Sequence, residues 1–354
     1  MKSRREQYYD FERTIAFDFA RTTEAAALNS SPWMGSGDLG KAEESAADAL
    51  RGMFDLMNIC GEVVVAATVS GRPPVIPVGE HLGSWLPGTN VFDLALDPID
   101  GSTNVAKGMP NALSCVAAAG REDGIPIGFR RLPCDYVMKL AYGPRVIRYM
   151  ERAGVESVHI QHPIEETLYT VARALGKRIQ DVVVQVLDRE RHAMLIEEVR
   201  STGAAIRLIQ DGDIAAAIAP SLPDSEVDLY VGVGGSAEAI LAAAAVRCLG
   251  GNLQCLYWPK DDDERSDLHH AGQSDELSHV FHAADLALGR NILFCATGIS
   301  DSPLLPGVKI KGHTAITHSV LMRAKSRTVR FITAHHDLER KTIRLRSDRR
   351  EHRI

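Results

Sequence analysis

A two-lobed α/β protein is expected from three observations. The chain has 354 residues, 45% hydrophobic and 24% charged, enough for a sizeable core and for more than one lobe. Short apolar or β-branched runs alternate with longer segments of helical period, the pattern of sheets covered by helices. From about residue 160 the alternation becomes regular, which predicts βαβ units and a parallel sheet. The division is placed near residue 150, with an α+β lobe over 1–150 and an α/β lobe over 151–354.

Residues 11–27 have helical period, as do 41–57, where Ala46, Ala49, Leu50, Met53 and Leu56 form one apolar stripe. The β-branched run 62–69 reads as a strand, and the Gly- and Pro-rich stretch 70–88 as a loop. Further strands are expected up to Asp97, over 112–119 and over 136–142, the last two joined by a Gly-containing connection around 122–128. The second half reads as helix 164–175, strand 182–187, helix 192–202 closed by Gly203, and strand 205–210. A short helix 213–219, strand 228–233, helix 236–248 and strand 253–257 follow. Residues 259–279 are acidic and polar, an exposed loop or short helix, and strands 291–296, 318–322 and 328–333 complete the chain.

The chemistry is concentrated between Val91 and Cys115, VFDLALDPIDGSTNVAKGMPNALSC. Phe92, Leu94 and Leu96 alternate up to Asp97, as in a strand running into a site. Pro98 fixes its own φ, and Asp100-Gly101 demands a tight turn. Ser102 and Thr103 stand where a helix would begin, with its N–H groups free. Asp97 and Asp100 on such a turn suit a hard divalent cation beside a phosphate. An ordinary Asp-Gly turn capped by Ser would need neither the second Asp nor Pro98.

Three later strand ends carry complementary groups. In LDRERH, Arg189 and Arg191 point the same way and could fork onto a phosphate or a sugar hydroxyl; pairing with Glu197 or Glu198 is the alternative. In Asp211-Gly212-Asp213, one carboxylate is expected to cap the next helix and the other to bind sugar hydroxyls or a metal. In VGVGGSAE, a strand ends near Gly232 and a Gly-rich turn through Gly235 lets backbone N–H groups approach an anion. Glu238 then falls in the first helical turn, favourable for the helix dipole and a candidate metal ligand. The G-x-G-x-x-G form and the P-loop lysine are both missing.

A net charge of −6 argues against a nucleic-acid-binding surface, and the basic tail from Arg340 to Arg353 is expected to be a solvated end. The charged N-terminus lacks a signal-peptide core, and the run from Ala239 to Val246 is too short to span a bilayer, so a cytoplasmic location away from membranes is expected. The six scattered cysteines read as buried free thiols. The histidines lack zinc spacing, and His335-His336 are expected at the surface.

The run DPIDGS with AKGMPNALS resembles the signature of the lithium-sensitive sugar phosphatases, and specifically the class II fructose-1,6-bisphosphatases. The likeness extends nearly end to end, through RTTEAAAL, WMGSGD, KLAYGP, RHAMLIEEVRSTGAAIRLIQDGD, VGVGGSAEAILAAAAVRCLGG and CATGISDSPLLPGV. It implies a layered α/β/α/β/α sandwich and a cytoplasmic, usually oligomeric phosphoric monoester hydrolase of carbohydrate metabolism and gluconeogenesis. It also implies Mg²⁺ or Mn²⁺ activating water for attack on the 1-phosphate. Carried over by position, Asp97, Asp100, Glu238 and, more distantly, Glu43 match metal ligands. Asp97, Asp100 and Ser102 are then the catalytic group, while Gly101, Ser102, Tyr136, Arg189, Arg191, Asp211, Asp213 and Gly235 hold the sugar phosphate.

The resemblance breaks at 66–72. A metal-binding Glu of the family is here Ala67, the Asp that helps deprotonate water is Gly71, and its neighbouring Glu is Arg72. Arg72 cannot accept a proton at neutral pH, so weak or altered hydrolysis is expected, unless an acid such as Glu62 or Glu80 has moved in. A non-hydrolytic phosphosugar-binding protein, or a lyase or isomerase on a phosphosugar, are the alternatives.

Overall fold

The computed structural model describes residues 11–68, 72–121, 127–270, 274–348 and 351–353. Gly71, the connection 122–126 and the first ten residues lie outside them. The chain opens with helices α1 (Phe11–Ser30) and α2 (Leu39–Phe54), then β1 (Cys60–Ala66), β2 (His81–Leu82), β3 (Val91–Asp100), α3 (Ser102–Lys107) and β4 (Leu113–Gly120). Next come β5 (Tyr136–Tyr142), α4 (Pro144–Ala153), α5 (Ile164–Leu175), β6 (Val183–Leu187), α6 (Ala193–Ser201), β7 (Ala205–Ile209) and α7 (Asp213–Ile218). Then follow β8 (Leu229–Gly235), α8 (Ser236–Leu249), β9 (Asn252–Tyr257), α9 (Asp262–His270), β10 (Phe281–His282) and α10 (Ala283–Leu286). The chain closes with β11 (Ile292–Gly298), β12 (Lys309–Lys311), β13 (Thr314–Arg323), β14 (Thr328–Asp337), β15 (Thr342–Arg344) and β16 (Glu351–Arg353).

Two mixed sheets form, in the orders β12-β13-β11-β4-β3-β1-β2, with β14 on β13, and β10-β9-β5-β8-β6-β7. Side chains of alternate parity along the central strands of the first sheet enter different cores. Leu94, Leu96, Val116, Ala118, Leu293 and Cys295 pack with Phe19, Leu50 and Phe54 of α1 and α2. Ala95, Cys115, Ala117, Phe294 and Ala296 face the opposite way, onto α7 and α8. The inner face of the second sheet, through Val137, Tyr230 and Cys255, closes that same central core. Its outer face, through Leu140, Val184 and Val186, is covered by Leu168 and Val171 of α5 and Ile196 of α6. The order is helix, sheet, helix, sheet, helix, the sandwich expected. The run Ala239–Val246 is apolar all round because α8 lies between two sheets. No helix among the described residues is long and apolar enough to cross a membrane.

The expected parallel sheet is only partly parallel. β6 pairs β7 and β8 in parallel, but β5 enters between β8 and β9 and pairs both antiparallel. Sheet membership crosses residue 150, since β5 lies in the second sheet and β11, β13 and β14 in the first. Helix α4, over a stretch with no assignment from the sequence, buries Val146 and packs Ile147 and Met150 against the outer core. Strand β8 runs on past Gly232 to Gly235, so Gly232 sits within the strand. His336 is buried, against expectation, because its Nε2 meets Thr317 Oγ1 at 2.8 Å on the paired strand β13. The tail is not a free solvated end: Ile343 is buried, Arg346 pairs with Asp55 and Glu80, and β16 pairs with β15. All six cysteines are buried and none forms a disulfide.

Candidate active site

Two acid-bearing turns press on one backbone oxygen. The first follows Asp97-Pro98-Ile99-Asp100 and turns at Gly101 with φ +87°; the second, Asp211-Gly212-Asp213, turns at Gly212 with φ +86°. A Cβ at Gly101 would stand 2.3 Å from the Asn111 carbonyl oxygen, and one at Gly212 would stand 2.4 Å from the same atom. Left-handed backbone and close approach together require glycine at both positions. Asn104 Nδ2 donates to that oxygen at 3.1 Å, which fixes the pivot.

The turns are also joined through Asp100, whose Oδ2 accepts from the Ile214 N–H at 3.2 Å. The carboxylate of the first turn thus caps the helix opened by the second. Neither Asp211 nor Asp213 takes the cap expected of it, because the N-cap position is Gly212. Asp211 Oδ1 accepts from Gly212 N at 3.1 Å, and Asp213 Oδ2 accepts from Lys139 Nζ at 2.7 Å. Asp97 is held by its Oδ1 accepting from Ile99 N at 3.1 Å.

A cavity of about 970 Å³ opens over these turns. Every site residue expected from the sequence lines it. Glu43, Asp97, Asp100, Gly101 and Ser102 come from α2, β3 and the start of α3. Tyr136, Arg189, Arg191 and Asp211 enter from the second sheet and its loops, Asp213 from the start of α7, Gly235 from the end of β8, and Glu238 from the first turn of α8. Arg191 Nη2 donates to Val233 O at 2.8 Å, with its guanidinium carbon 5.3 Å from the Tyr136 ring centroid. Arg189 Nη1 donates to Asp188 O at 3.3 Å, and among the described residues no ion pair takes either arginine to Glu197 or Glu198.

The carboxylates disturb one another. Burial, then Asp100, Glu238, Glu43 and Asp211, push Asp97 well above the usual carboxylate range. Burial, then Asp213, Asp211 and Glu238, do the same to Asp100. Burial raises Glu43 to about 7, against a hydrogen bond from Ser102, and raises Glu238 to about 7, with Asp213 adding to it and Lys139 opposing. Among the described residues no three Asp, Glu, His or Cys side chains close around one point that could hold a metal ion. The donor chemistry nonetheless fits a hard divalent cation, because buried, mutually repelling carboxylate oxygens are relieved by positive charge. Asp97, Asp100, Glu238 and Glu43 are the residues suited to hold it.

Among the described residues two further acids, Glu44 and Asp135, line the cavity, but the two acids named as possible replacements do not. Ala67 lines the cavity, its N–H donating to Leu96 O at 3.0 Å. Arg72 lines it too, with Nη1 3.3 Å from where a Cβ at Gly40 would stand, and its charge lowers the pKa of Glu43. Glu62 is paired with Arg121, and Glu80 with Arg51 and Arg346. Neither lines the cavity.

Sequence reading missed Lys139, a fully buried cation in β5, and Tyr230, whose buried hydroxyl lies near Asp213 and Asp100. A lysine within the apolar run YVMKLAY was the available signal, since a buried ammonium requires a partner.

Residues 13–336 match the model of a family described as bacterial fructose-1,6-bisphosphatase, glpX-encoded. The chain is 36% identical over 338 residues to a protein of Haemophilus influenzae named fructose-1,6-bisphosphatase class 2, covering 92% of this chain and 97% of that one. It is 33% identical over 340 residues to the fructose-1,6-bisphosphatase 1 class 2 of Escherichia coli K12, covering 93% and 97%.

Proposed function

Since the chain belongs to the bacterial, glpX-encoded fructose-1,6-bisphosphatase family and is thereby a sugar-phosphate phosphatase, we propose that it hydrolyses fructose 1,6-bisphosphate or a close phosphosugar at this cavity. Divalent-metal dependence comes with the family, and Mg²⁺ or Mn²⁺ is the ion proposed here. The observation that carries the proposal is the convergence of Asp97, Asp100, Glu43 and Glu238 with Arg189 and Arg191 on one cavity. When bound, the cation supplies positive charge beside a phosphoryl group. The chain's own residues do the rest. Ser102 and the backbone at Gly101 hold the scissile phosphate, and Arg189 and Arg191 fork onto the distal one. Asp211 and Asp213 accept from sugar hydroxyls, and Tyr136 walls the sugar while supporting Arg191.

Hydrolysis is slow on this reading, because Ala67 offers no oxygen and Arg72 cannot take a proton from water at neutral pH. The protein works in the cytoplasm. The test is phosphate release across a panel of sugar mono- and bisphosphates with Mg²⁺ or Mn²⁺. Release from fructose 1,6-bisphosphate or a near relative supports the proposal. Saturable binding without release throughout the panel contradicts it and leaves a binding protein.

A further inference from the structure

His192 is 1% exposed, does not line the large cavity, and fills the space between the arginine-bearing turn and β8. The Val233 N–H donates to its Nε2 at 2.7 Å, while its Nδ1 lies 2.7 Å from Leu187 O. A backbone N–H can only donate, so Nε2 presents a lone pair and the proton sits on Nδ1, donated to Leu187. The ring is therefore neutral, with both nitrogens satisfied. Val233 is held a second time from the same turn, since its carbonyl accepts from Arg191 Nη2 at 2.8 Å. The ring also packs on the strand, because a Cβ at Gly232 would stand 3.2 Å from it. Beyond Val233, β8 leads directly into Gly235 and Glu238.

We propose that neutral His192 is a positioning residue, the pin that registers the turn carrying Arg189 and Arg191 against β8. It thereby sets the spacing between those arginines and the carboxylates at the start of α8. The kinetic consequence rests on the sugar-phosphate reading above; the pinning itself does not. A protonated ring would turn an N–H toward the Val233 N–H, so turn and strand part as pH falls. Burial holds the His192 pKa below its ordinary value, with Arg191 and Arg189 adding to the effect. The other titratable groups facing this region are His159, His162 and Glu198, which line the small cavity of about 310 Å³ that the ring borders.

The test pairs spectroscopy with kinetics. Long-range ¹H–¹⁵N spectra of the wild-type protein should show His192 as the Nδ1–H tautomer at pH 7.5, with a Val233 amide slow to exchange. His192→Leu should expose that amide and raise KM for fructose 1,6-bisphosphate about tenfold or more, with kcat changing far less, since one buried donor is orphaned. His192→Gln, which can accept from Val233 and donate to Leu187, should restore KM and weaken the wild-type rise in KM as pH falls. An Nε2–H tautomer or a freely exchanging Val233 amide in the wild type would overturn the inference. So would an unchanged KM in folded His192→Leu. A wild type that releases no phosphate would defeat the substrate reading, while tautomer and exchange would still decide the role of His192.

Discussion

Lys139 Nζ lies 2.7 Å from Asp213 Oδ2, and the two side chains are 0% and 7% exposed. The pair sits beneath the cavity and is covered by β8, where a Cβ at Gly234 would fall 1.8 Å from the same oxygen. Removing one partner leaves a buried charge unpaired, which typically costs about 3–5 kcal/mol. Lys139→Met should therefore lower the unfolding free energy by about that amount in urea titrations. Lys139→Met with Asp213→Asn should recover more than half of the loss. A double variant whose loss equals the sum of the two single losses would show that the pair is not coupled.

Gly101 and Gly212 press on the same Asn111 oxygen, so their substitutions should interact. Gly101→Ala and Gly212→Ala should each destabilise by roughly 1–3 kcal/mol, through a positive φ and a forced displacement. Once Asn111 has been pushed aside, the second substitution costs less, so the double variant should fall short of additivity by about 0.5 kcal/mol or more. Denaturant unfolding of the three variants measures this, and strict additivity would contradict a shared pivot.

His336 gives stability a pH dependence of known sign. Burial, with Lys341 and His335 nearby, lowers its pKa from 6.5 to about 4. A depressed histidine pKa means that the unfolded chain binds the proton more tightly. The contribution is thus fully present above pH 6.5 and is lost as pH falls from there toward 4. His336→Gln should flatten the stability profile across that window by on the order of 2 kcal/mol. An unchanged slope between pH 6.5 and 4 would remove His336 as its source.

Much of this was legible beforehand because strong local signals agreed with the tertiary outcome. The αL glycines at Gly101 and Gly203 fixed a turn and a helix end, and the αL glycine at Gly212 its turn, while alternation along β3 marked a strand, which the structure buries on both faces. Position-by-position resemblance assembled the cavity's acids and arginines from five separate segments. What local pattern could not show was pairing. The insertion of β5 between β8 and β9 is a long-range choice, and two-residue strands such as β2 and β10 exist only through their neighbours. Lys139 escaped for the same reason, since its partner lies 74 residues away. The capping of α7 by Asp100, 114 residues before Ile214, was equally invisible.

Ala67 lines the cavity at the position where the family resemblance expects a metal-binding Glu. Ala67→Glu would add a carboxylate to the wall, near the strand that carries Asp97. Metal-dependent phosphate release should rise by about tenfold, equivalent to ~1.4 kcal/mol of barrier. A rate that stays flat or falls would show that Ala67 does not limit hydrolysis.

The most direct measurement is inorganic phosphate release from fructose 1,6-bisphosphate with Mg²⁺, with Mn²⁺ and with EDTA, comparing the wild type with Asp97→Asn. Slow release that requires the divalent ion and disappears in Asp97→Asn is the expected result. Release that survives EDTA or persists in Asp97→Asn would contradict hydrolysis at the carboxylate cluster.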